Sequence, residues 1–458
     1  MTEKYEIIKS ALLGVLDKKK YAGLREILLV MNPSDIAALF EDLDEPRMPL
    51  LFRLLPKELA AETFVEMEPD AQEVLIRSFS DSELKEVVDE LYVDDAADLV
   101  EEMPANVVKR ILQQADPEMR SSINQILRYP ENSAGSIMTT EYVTLRPNMT
   151  VGEAILRIRR QGVDKETIYT CYVTQDRTLI GLVTVKDLLL AEDDDILIKD
   201  IMLTNLISVT TVTDQEDVAR MFSKYNFLAL PVVDGENRIV GIVTFDDAMD
   251  VMEEEATEDM ELISAIVPSE KSYTKSTVLD LFRSRIPWLM LLMVSATFTG
   301  LIITAFEDAL AAQVALTAFI PMLMDTGGNS GSQSSVTLIR ALSLDEVRLS
   351  DIGHVIWKEL RTALLCGISL AAVCFAKIWL IDRLLMGNES ITPMVDAVVC
   401  LTLVVTVICA KLVGCLLPMA AKALKLDPAV MAGPFISTIV DAISLVVYFL
   451  FAQSLLGV

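Results

Sequence analysis

Hydrophobic segments of membrane-spanning length fill the chain after about residue 285, whereas the part before it is acidic and has the composition of a soluble protein. A hydrocarbon core about 30 Å thick needs about 20 mainly apolar residues per helix. Five stretches reach that length, at approximately residues 288–306, 314–342, 363–385, 394–417 and 428–456. The sequence therefore predicts a multidomain α-helical membrane protein with a five-helix transmembrane domain at residues 286–458.

Basic residues beside the predicted spans indicate how the chain crosses the membrane, because Lys and Arg in short loops favour the cytoplasmic side. They precede the first span, separate the second from the third and precede the fifth: Arg283, Arg285, Arg340, Arg348, Lys358, Arg361, Lys422 and Lys425. Acids dominate the opposite loops, with Arg383 as the exception. We expect a plasma-membrane protein with a cytoplasmic N-terminal part and its C-terminus outside.

The second predicted span is interrupted by a polar, glycine-rich run, Asp325-Thr326-Gly327-Gly328-Asn329-Ser330-Gly331. Lipid cannot satisfy free backbone groups, so a break at membrane depth is tolerated only where it lines a water-filled path or is covered by protein. Oxygen-rich groups suit a hard cation, and hydrated Mg²⁺ can be held through its waters. Gly328 and Asn329 are therefore candidate pore residues, while Asp325 either adds negative potential there or caps the following helix.

The fifth span carries an acid well inside the membrane. Asp427 and Asp441 are 14 residues apart, which is about 21 Å along an α-helix, so the first lies near the cytoplasmic mouth and the second is deep. A charged side chain near the bilayer centre costs about 2.5 kcal/mol or more. We predict that Asp441 lines a cation path with Ser437, and the alternative is a structural ion pair with Lys411 or Lys377.

Acidic charge is concentrated before the membrane. Of 67 acids and 39 bases, 55 acids and 30 bases lie at or before residue 285, which gives a net charge of −25 there and −3 after it. Nucleic acid is excluded as a partner, because its phosphates need Lys and Arg. Divalent cations are the natural partner of such a surface. An isolated surface carboxylate usually serves only solubility, so the prediction of cation sites rests on the dense acidic clusters.

Residues 1–130 consist of short helical patterns that begin at Pro or Asp. The segments that start at Asp35 and Asp95 resemble each other, each pairing an Asp-x-Ala start with an apolar and acidic continuation. Repeated helical units of this kind predict an α-helical solenoid with acidic faces. A scaffold or docking role is the plainer interpretation of this domain.

A second repeat, with a period of about 60 residues, occupies residues 131–252. Its two copies match at Ile137-Met138-Thr139 and Ile201-Met202-Leu203, and again at residues 179–187 and 239–247. These residues resemble a tandem cystathionine-β-synthase (CBS) pair, an α/β module whose Gly-apolar-apolar-Thr-x-x-Asp turn can hold an adenine nucleotide such as ATP. The resemblance implies a set of candidate nucleotide ligands: Thr184, Asp187, Phe227, Thr244 and Asp247. Many CBS pairs bind no nucleotide.

An acidic run at residues 246–262 leads into the segment before the first span, and we predict an acidic connecting helix at residues 253–285. On a helix Asp247, Asp250 and Glu254 share one face. Like charges at these spacings repel by a few tenths of a kcal/mol per pair, and a divalent cation would reverse that interaction. We interpret the run as a gating element rather than as a solvated linker.

The order of these parts resembles the MgtE-type magnesium transporter or channel family over essentially the whole chain. The most specific matches are Pro321 followed by residues 326–333, and Asp427-Pro428-Ala429 followed by Asp441. The resemblance implies a homodimer with its pore at the two-fold axis, where the deep aspartate holds a hydrated Mg²⁺. Other divalent cations are possible substrates.

The resemblance also implies import of Mg²⁺ under the control of intracellular Mg²⁺, which would bridge acids of the cytoplasmic domains and close the pore. The predicted regulatory residues are Asp94, Asp95, Asp98, Asp247, Asp250, Glu255, Glu258, Asp259 and Asp427. Two positions depart from relatives, because Asn226 stands where some carry an acid and Gly433 where some carry Asn.

Three other interpretations compete with this one. A sodium-coupled Mg²⁺ exchanger or exporter could share the membrane motifs. A membrane sensor of Mg²⁺ or nucleotide could use the CBS pair without conducting ions, although it would need neither the glycine run nor Asp441. An enzyme is the weakest alternative, because no nucleophile, base and orienting acid converge in the sequence.

Overall fold

The computed structural model describes residues 21–41, 43–269, 276–387, 391–431 and 433–457, together with Gly14 and Tyr273. The remainder of the first twenty residues, which belong to the predicted solenoid, lies outside the described residues. The chain forms two compact units, Met1–Met252 and Glu253–Val458. Each unit is described by itself.

The first unit begins with a helical domain, as predicted. Its described helices are α1 (Tyr21–Leu28), α2 (Pro33–Glu41), α3 (Met48–Phe52), α4 (Lys57–Val65), α5 (Pro69–Ser78), α6 (Asp81–Val88), α7 (Val93–Glu102), α8 (Ala105–Gln114) and α9 (Pro117–Ile126). One apolar core runs through them. The rings of Phe40, Phe64 and Phe79 surround Phe52, with centroid distances of 6.4, 6.3 and 5.3 Å.

Helices of this domain start at Pro and Asp residues, as the sequence predicts. Pro69 and Pro117 begin α5 and α9, where a missing N–H costs nothing because the first turn leaves its donors unpaired. The Asp116 carboxylate accepts a hydrogen bond from the Met119 amide at 2.7 Å and so caps α9. Short helices with strong start signals explain why the sequence revealed this domain.

The CBS-like repeat follows with two small sheets of the same topology. Its elements are β1 (Val143–Leu145), α10 (Val151–Gln161), β2 (Thr170–Gln175), β3 (Thr178–Thr184), α11 (Val185–Leu189), α12 (Ile198–Ile201), β4 (Val209–Thr210), α13 (Gln215–Tyr225), β5 (Ala229–Val233) and β6 (Ile239–Thr244). In each sheet the first strand pairs parallel with the second, which pairs antiparallel with the third. The structure thus confirms the repeat.

The repeated Ile-Met motif joins the two copies. Antiparallel bridges link Thr139 to Ile242 and Leu203 to Leu182. Met138 therefore packs on Gly241 and Met202 on Gly181, and an added Cβ at these glycines would lie 2.5 and 2.6 Å from the methionine sulfur atoms. Each copy needs glycine in its last strand because the methionine of the other copy occupies that space.

The acidic helix α14 (Phe245–Ile263) begins directly after β6. The prediction of a helix at residues 253–285 was wrong in its bounds, because α14 starts eight residues earlier and ends at Ile263. Ala265 has a positive φ of 54°, and the Ile266 amide donates to the Glu261 carbonyl at 2.9 Å. This is a Schellman ending, which stops the helix.

The second unit contains the long helices predicted for the membrane. They are α15 (Val278–Ala305), α16 (Glu307–Ala312), α17 (Ile320–Ser343), α18 (Ile352–Lys377), α19 (Pro393–Ala423) and α20 (Gly433–Leu456). By length and composition, four segments of the described chain could cross a membrane: Val278–Ala305, Leu349–Leu385, Pro393–Ala423 and Pro428–Leu456. The second predicted span corresponds to α17, which is long enough but more polar.

The expected break in the second span is absent, since α17 is helical throughout its 24 residues. Its glycines instead allow close packing, because a Cβ at Gly327 would lie 2.8 Å from Thr406 Cγ2 and 2.9 Å from Val440 Cγ1. Small residues let helices approach closely where lipid gives no hydrophobic driving force. Asp325 lies inside the helix, so it caps nothing.

Candidate functional site

An acidic cluster in the first unit involves α7, the start of α14 and two residues of the CBS-like repeat. Asp94 and Asp95 occupy the first turn of α7, where the helix dipole favours negative charge. Glu166 lies between α10 and β2, and its amide donates to the Glu141 carbonyl at 3.0 Å. The charge of Asp247 acts on Asp94, Asp95 and Glu166.

Burial and mutual repulsion raise the pKa values of this cluster. Burial, followed by the charge of Asp247, raises the pKa of Asp94 well above its usual range. The same two causes raise the pKa of Asp95 to about 7 and that of Glu166 to about 8. The pKa of Asp247 rises to about 6, mainly through burial, although a hydrogen bond from Thr244 opposes this. Hydrogen bonds from the protein therefore compensate the ionised forms only in part.

Asp98 lies one turn further along α7, at the exposed rim of the cluster. Desolvation by the surrounding protein, followed by the charges of Asp247 and Asp95, raises the pKa of Asp98 to about 8. Solvent at the rim screens part of this repulsion. Asp98 is thus in contact with water, as are Asp246 and Asp250.

Two oxygen atoms in the cluster are buried without a hydrogen bond in the described part of the chain, Asp94 Oδ1 and Glu166 Oε2. Asp94 is only 6% exposed. Buried polar atoms normally have a partner, and carboxylate oxygens are the ligands that hard divalent cations prefer. Among the described residues, no three Asp, Glu, His or Cys side chains are grouped to hold an ion directly. The donor set fits a hydrated Mg²⁺.

The cluster brings together predicted regulatory residues that are far apart in sequence, Asp94, Asp95, Asp98 and Asp247. Asp250 lies one turn beyond Asp247 and acts on it electrostatically. Sequence reasoning missed Glu166, Glu141 and Asp246, which contribute charge to the same cluster. Glu166 and Glu141 stand outside any acidic run, so their sequence positions gave no signal.

A second acidic cluster lies in the second unit, where the end of α14 meets Asp427. Burial, followed by the charge of Glu255 and then of Asp427, raises the pKa of Glu258. Burial and then the charge of Asp427 raise that of Asp259, while Arg340 lowers it. The structure therefore brings together four of the predicted regulatory residues, Glu255, Glu258, Asp259 and Asp427.

Backbone contact also joins the end of α14 to the start of α20. Ile263 packs with Leu262 against Ile339 and Ala429. Gly433 has a positive φ of 41°, and a Cβ there would lie 2.5 Å from the Ile263 carbonyl oxygen. The local geometry therefore favours glycine at this junction in this chain.

The predicted pore residues lie where α17 packs on α20. A Cβ at Gly328 would lie 3.2 Å from Ser437 Oγ, so these two positions are adjacent. Asp441 follows Ser437 by about one turn and is half-buried. Asp325 of α17 is close enough to act on it electrostatically. Asn329 lies one turn beyond Asp325 and is exposed in the single chain.

The alternative role for Asp441, as a partner of a membrane lysine, is not supported. Lys377 Nζ lies 2.8 Å from Asp382 Oδ2. Lys411 Nζ donates to Ser334 Oγ at 3.1 Å. Among the described residues, neither lysine forms an ion pair or a hydrogen bond with Asp441.

Four of the predicted nucleotide ligands form hydrogen-bonded pairs at the starts of α11 and α14. Thr184 Oγ1 donates to Asp187 Oδ2 at 2.6 Å and accepts from the Asp187 amide at 3.1 Å. Thr244 donates to Asp247 Oδ2 through both its hydroxyl and its amide. The first arrangement is a capping box, and both fix the strand-to-helix turn of their copy. Phe227 stacks on Tyr225 at 5.4 Å, so its ring is already partly covered.

Asn226, the other departure indicated by the sequence, ends α13. Its φ is 55° and its ψ is 45°, which is left-handed helical backbone. Asn adopts this conformation more readily than most residues because its short side chain can hydrogen-bond locally. The local backbone therefore gives a structural reason for Asn at this position.

Family models match all three parts of the chain. The model described as "MgtE: Divalent cation transporter" matches residues 320–451. The "MgtE intracellular N domain" matches residues 31–132, and the CBS domain matches residues 134–194 and 198–254. These three matches follow the chain order predicted from the sequence.

Proteins and structures similar to this chain have the same organisation. It is 36% identical to the magnesium transporter MgtE of Thermus thermophilus over 95% of both chains, and 32% identical to that of Bacillus subtilis over 97% of this chain and 96% of the relative. This chain is also similar to a crystal structure of the cytosolic domain of the Mg²⁺ channel MgtE in complex with ATP. The match covers 53% of this chain and 99% of the solved chain, with 38% identity and a TM-score of 0.51. Such proteins are transporters or channels rather than enzymes. The chain belongs to the MgtE family of magnesium transporters.

Proposed function

We propose that this chain imports Mg²⁺ across the cytoplasmic membrane as a homodimer whose path lies on the two-fold axis. Its N-terminal domains are cytoplasmic and its C-terminus lies outside. Two features of the single chain support a second copy. No residue of α15 is buried, and Asp325, Asn329 and Gln333 form an exposed polar stripe on α17. Lipid would leave such a stripe unsatisfied, whereas a second copy would enclose it around water.

In the proposed path Asp441 holds a hydrated Mg²⁺ through the waters of the ion. Mg²⁺ dehydrates reluctantly, so a carboxylate that bonds its water shell is a suitable ligand. Ser437 and the exposed Asn329 add side-chain oxygen atoms near the same level, whereas Gly328 is buried within the continuous helix α17. The negative charge of Asp325 raises the local concentration of cations.

Closure by intracellular Mg²⁺ rests on the acidic cluster, and the single observation that carries it is the buried Asp94 with its unpartnered Oδ1. Without cations the carboxylates of Asp94, Asp95, Asp247 and Glu166 repel one another. A bound Mg²⁺ reverses that repulsion and draws α7 towards the start of α14. The same helix carries Glu258 and Asp259 beside Asp427, so binding at either cluster restrains α14.

The CBS-like pair is the proposed nucleotide site. The similar cytosolic domain was crystallised with ATP, and this chain has the Thr184–Asp187 and Thr244–Asp247 turns in the same module. Asp247 belongs both to one of these turns and to the acidic cluster. Nucleotide at that turn would therefore change the affinity of the cluster for Mg²⁺, because two ligands that share a side chain are thermodynamically linked.

Flux into liposomes tests the conduction path. Purified full-length protein is reconstituted with a Mg²⁺ indicator inside, and uptake is driven by the Mg²⁺ gradient and membrane potential. Asp441→Asn should reduce uptake by about a hundredfold, because it removes a full charge from a low-dielectric path. Asp308→Asn is the matched control, since Asp308 is exposed beyond the first span. Equal uptake by Asp441→Asn and the wild type would exclude Asp441 from the path.

The same liposomes distinguish the competing functions. Uptake without a sodium gradient supports a channel-like importer, whereas uptake only with sodium indicates an exchanger. No flux under any gradient indicates a non-conducting sensor. Mg²⁺ added to the face carrying the cytoplasmic domains should inhibit the wild type, and Asp94→Asn should shift this inhibition to higher Mg²⁺. An identical inhibition curve for Asp94→Asn would refute the role of the cluster.

A further inference from the structure

A lysine is buried among the helices of the second unit without a role in the proposed path. Lys411 lies in α19, and its side chain is only 7% exposed. Ionisable residues inside membrane segments are costly and are usually paired or functional. A second lysine within a predicted span, Lys377, has a side chain that is 41% exposed and an ion pair with Asp382.

Lys411 belongs to a hydrogen-bonded chain that crosses three helices. Its Nζ donates to Ser334 Oγ of α17 at 3.1 Å. Ser334 Oγ in turn donates to Glu359 Oε2 of α18 at 2.7 Å. Lys411 Nζ and Glu359 Oε2 are 4.0 Å apart. The serine hydroxyl therefore accepts from the positive group and donates to the negative one, and its dipole is aligned between them.

The position of Ser334 on α17 connects this chain with the proposed path. Ser334 is 4% exposed, whereas Asn329 faces away from the packed helices. Five residues at 100° each place these two side chains about 140° apart around the helix axis, and about 8 Å apart along it. A contact that fixes the rotation of α17 at Ser334 therefore also fixes the direction in which Asn329 points.

The neighbouring glycine contacts constrain that rotation only through steric packing. Gly331 lies against the Ala410 carbonyl and Ile436, with a hypothetical Cβ at 3.1 and 2.8 Å. Contacts of this kind limit how closely the helices approach, but they have no directional hydrogen bond. The Lys411–Ser334–Glu359 chain supplies directional bonds one turn from the glycine crossing.

We infer that Lys411 is a positioning residue for the permeation path: through Ser334 and Glu359 it ties α17 to α18 and α19 and fixes the face that α17 presents to the ion. This inference rests on the proposed conduction path. Glu359 compensates the charge of Lys411, so this hydrogen-bonded chain does not repel the cations that pass along α17.

The orientation of α17 can be measured without measuring flux. In the full-length protein with its six cysteines replaced, Gln333→Cys places a thiol on the exposed stripe, and its modification by a water-soluble thiosulfonate reagent is timed in liposomes. Lys411→Met should slow the modification about tenfold, because it removes the donor that holds Ser334. Lys377→Met is the matched control and should leave the rate unchanged. An unchanged rate in Lys411→Met would overturn the inference.

A milder variant covers the case in which Lys411→Met fails to fold. Ser334→Ala removes only the bridging hydroxyl and keeps both charges, so it should slow the modification about threefold in folded protein. A rate equal to that of the starting protein would also overturn the inference. Mg²⁺ flux is then compared in the natural cysteine background. Normal flux in Asp441→Asn refutes the proposed path whatever the modification rates are, so the two failures are distinguishable.

Discussion

Replacing Asp95 with asparagine should stabilise α7 in the absence of divalent cations and weaken its response to Mg²⁺. The pKa of Asp95 is raised from 3.8 to about 7, by burial and then by the charge of Asp247. That difference corresponds to about 4 kcal/mol between the two protonation states. Because Asp95 keeps some contact with water, screening should reduce the net gain to about 1–2 kcal/mol.

The direction in which the stability of α7 changes with pH follows from proton linkage. A carboxyl group whose pKa is raised by folding contributes stability below its unfolded pKa of about 3.8, and this contribution is lost as the pH rises through about 7. Without Mg²⁺, the wild type should therefore lose protection in α7 between about pH 4 and pH 8. Asparagine cannot ionise, so the variant should lose less over the same range.

Amide hydrogen exchange of α7 in the full-length protein measures this effect locally. At pH 8 without divalent cations, α7 of the variant should exchange about 5 to 30 times more slowly than that of the wild type. Added Mg²⁺ should slow exchange strongly in the wild type and weakly in the variant. Asp70→Asn is the control, because Asp70 is an exposed acid in the first turn of α5.

Either of two results would contradict this role of Asp95. Faster exchange of α7 in the Asp95 variant at pH 8 would mean that the carboxylate stabilises the metal-free protein. An equal gain in protection from Mg²⁺ in both proteins would mean that Asp95 contributes nothing to cation binding.

Three further predictions concern other parts of the molecule. Gly433→Ala should displace the end of α14, because its Cβ would lie 2.5 Å from the Ile263 carbonyl oxygen; it should weaken inhibition of liposome flux by Mg²⁺, and an unaltered inhibition curve would contradict this. Glu83→Gln should lower the free energy of unfolding by about 1 kcal/mol at pH 7, because Arg53 and the Ser80 amide lower the pKa of Glu83 to about 2 and solvent screens the pair. In thermal unfolding, this loss of stability should shrink as the pH falls from about 4.5 towards 2. A loss that is constant with pH would contradict the prediction. Gly327→Val should reduce the yield of folded protein, since three heavy atoms of neighbouring helices lie within 2.9 Å of the new Cβ; a normal yield in size-exclusion chromatography would show that the crossing can open.

The fold was largely predictable where its signals are local. Pro and Asp at helix starts, the repeated Ile-Met and Gly-x-x-Thr-x-x-Asp segments and the apolar stretches each depend on a few neighbouring residues, and the structure follows them. The glycine run of α17 was misjudged, because glycine in a sequence indicates either a break or a close helix crossing. Only the positions of Thr406 and Val440 distinguish the two.

The candidate sites were predictable in part. Acidic runs indicated Asp94, Asp95, Asp247 and Asp259, since dense like charge needs a counter-ion. Glu166 was missed because it lies outside any dense acidic run and only the tertiary fold brings it near Asp247.

By itself, the sequence determined the class of protein, the order of its domains and the residue types available to a hard cation, because composition, periodicity and local capping act over short distances along the chain. Only the tertiary structure decided which carboxylates meet, why glycine is favoured at Gly433 and how Lys411 is compensated. These depend on close approach between residues that are dozens of positions apart, such as Lys411 and Ser334. Electrostatic and steric energies depend on distance in space, and the sequence specifies that distance only through the complete fold.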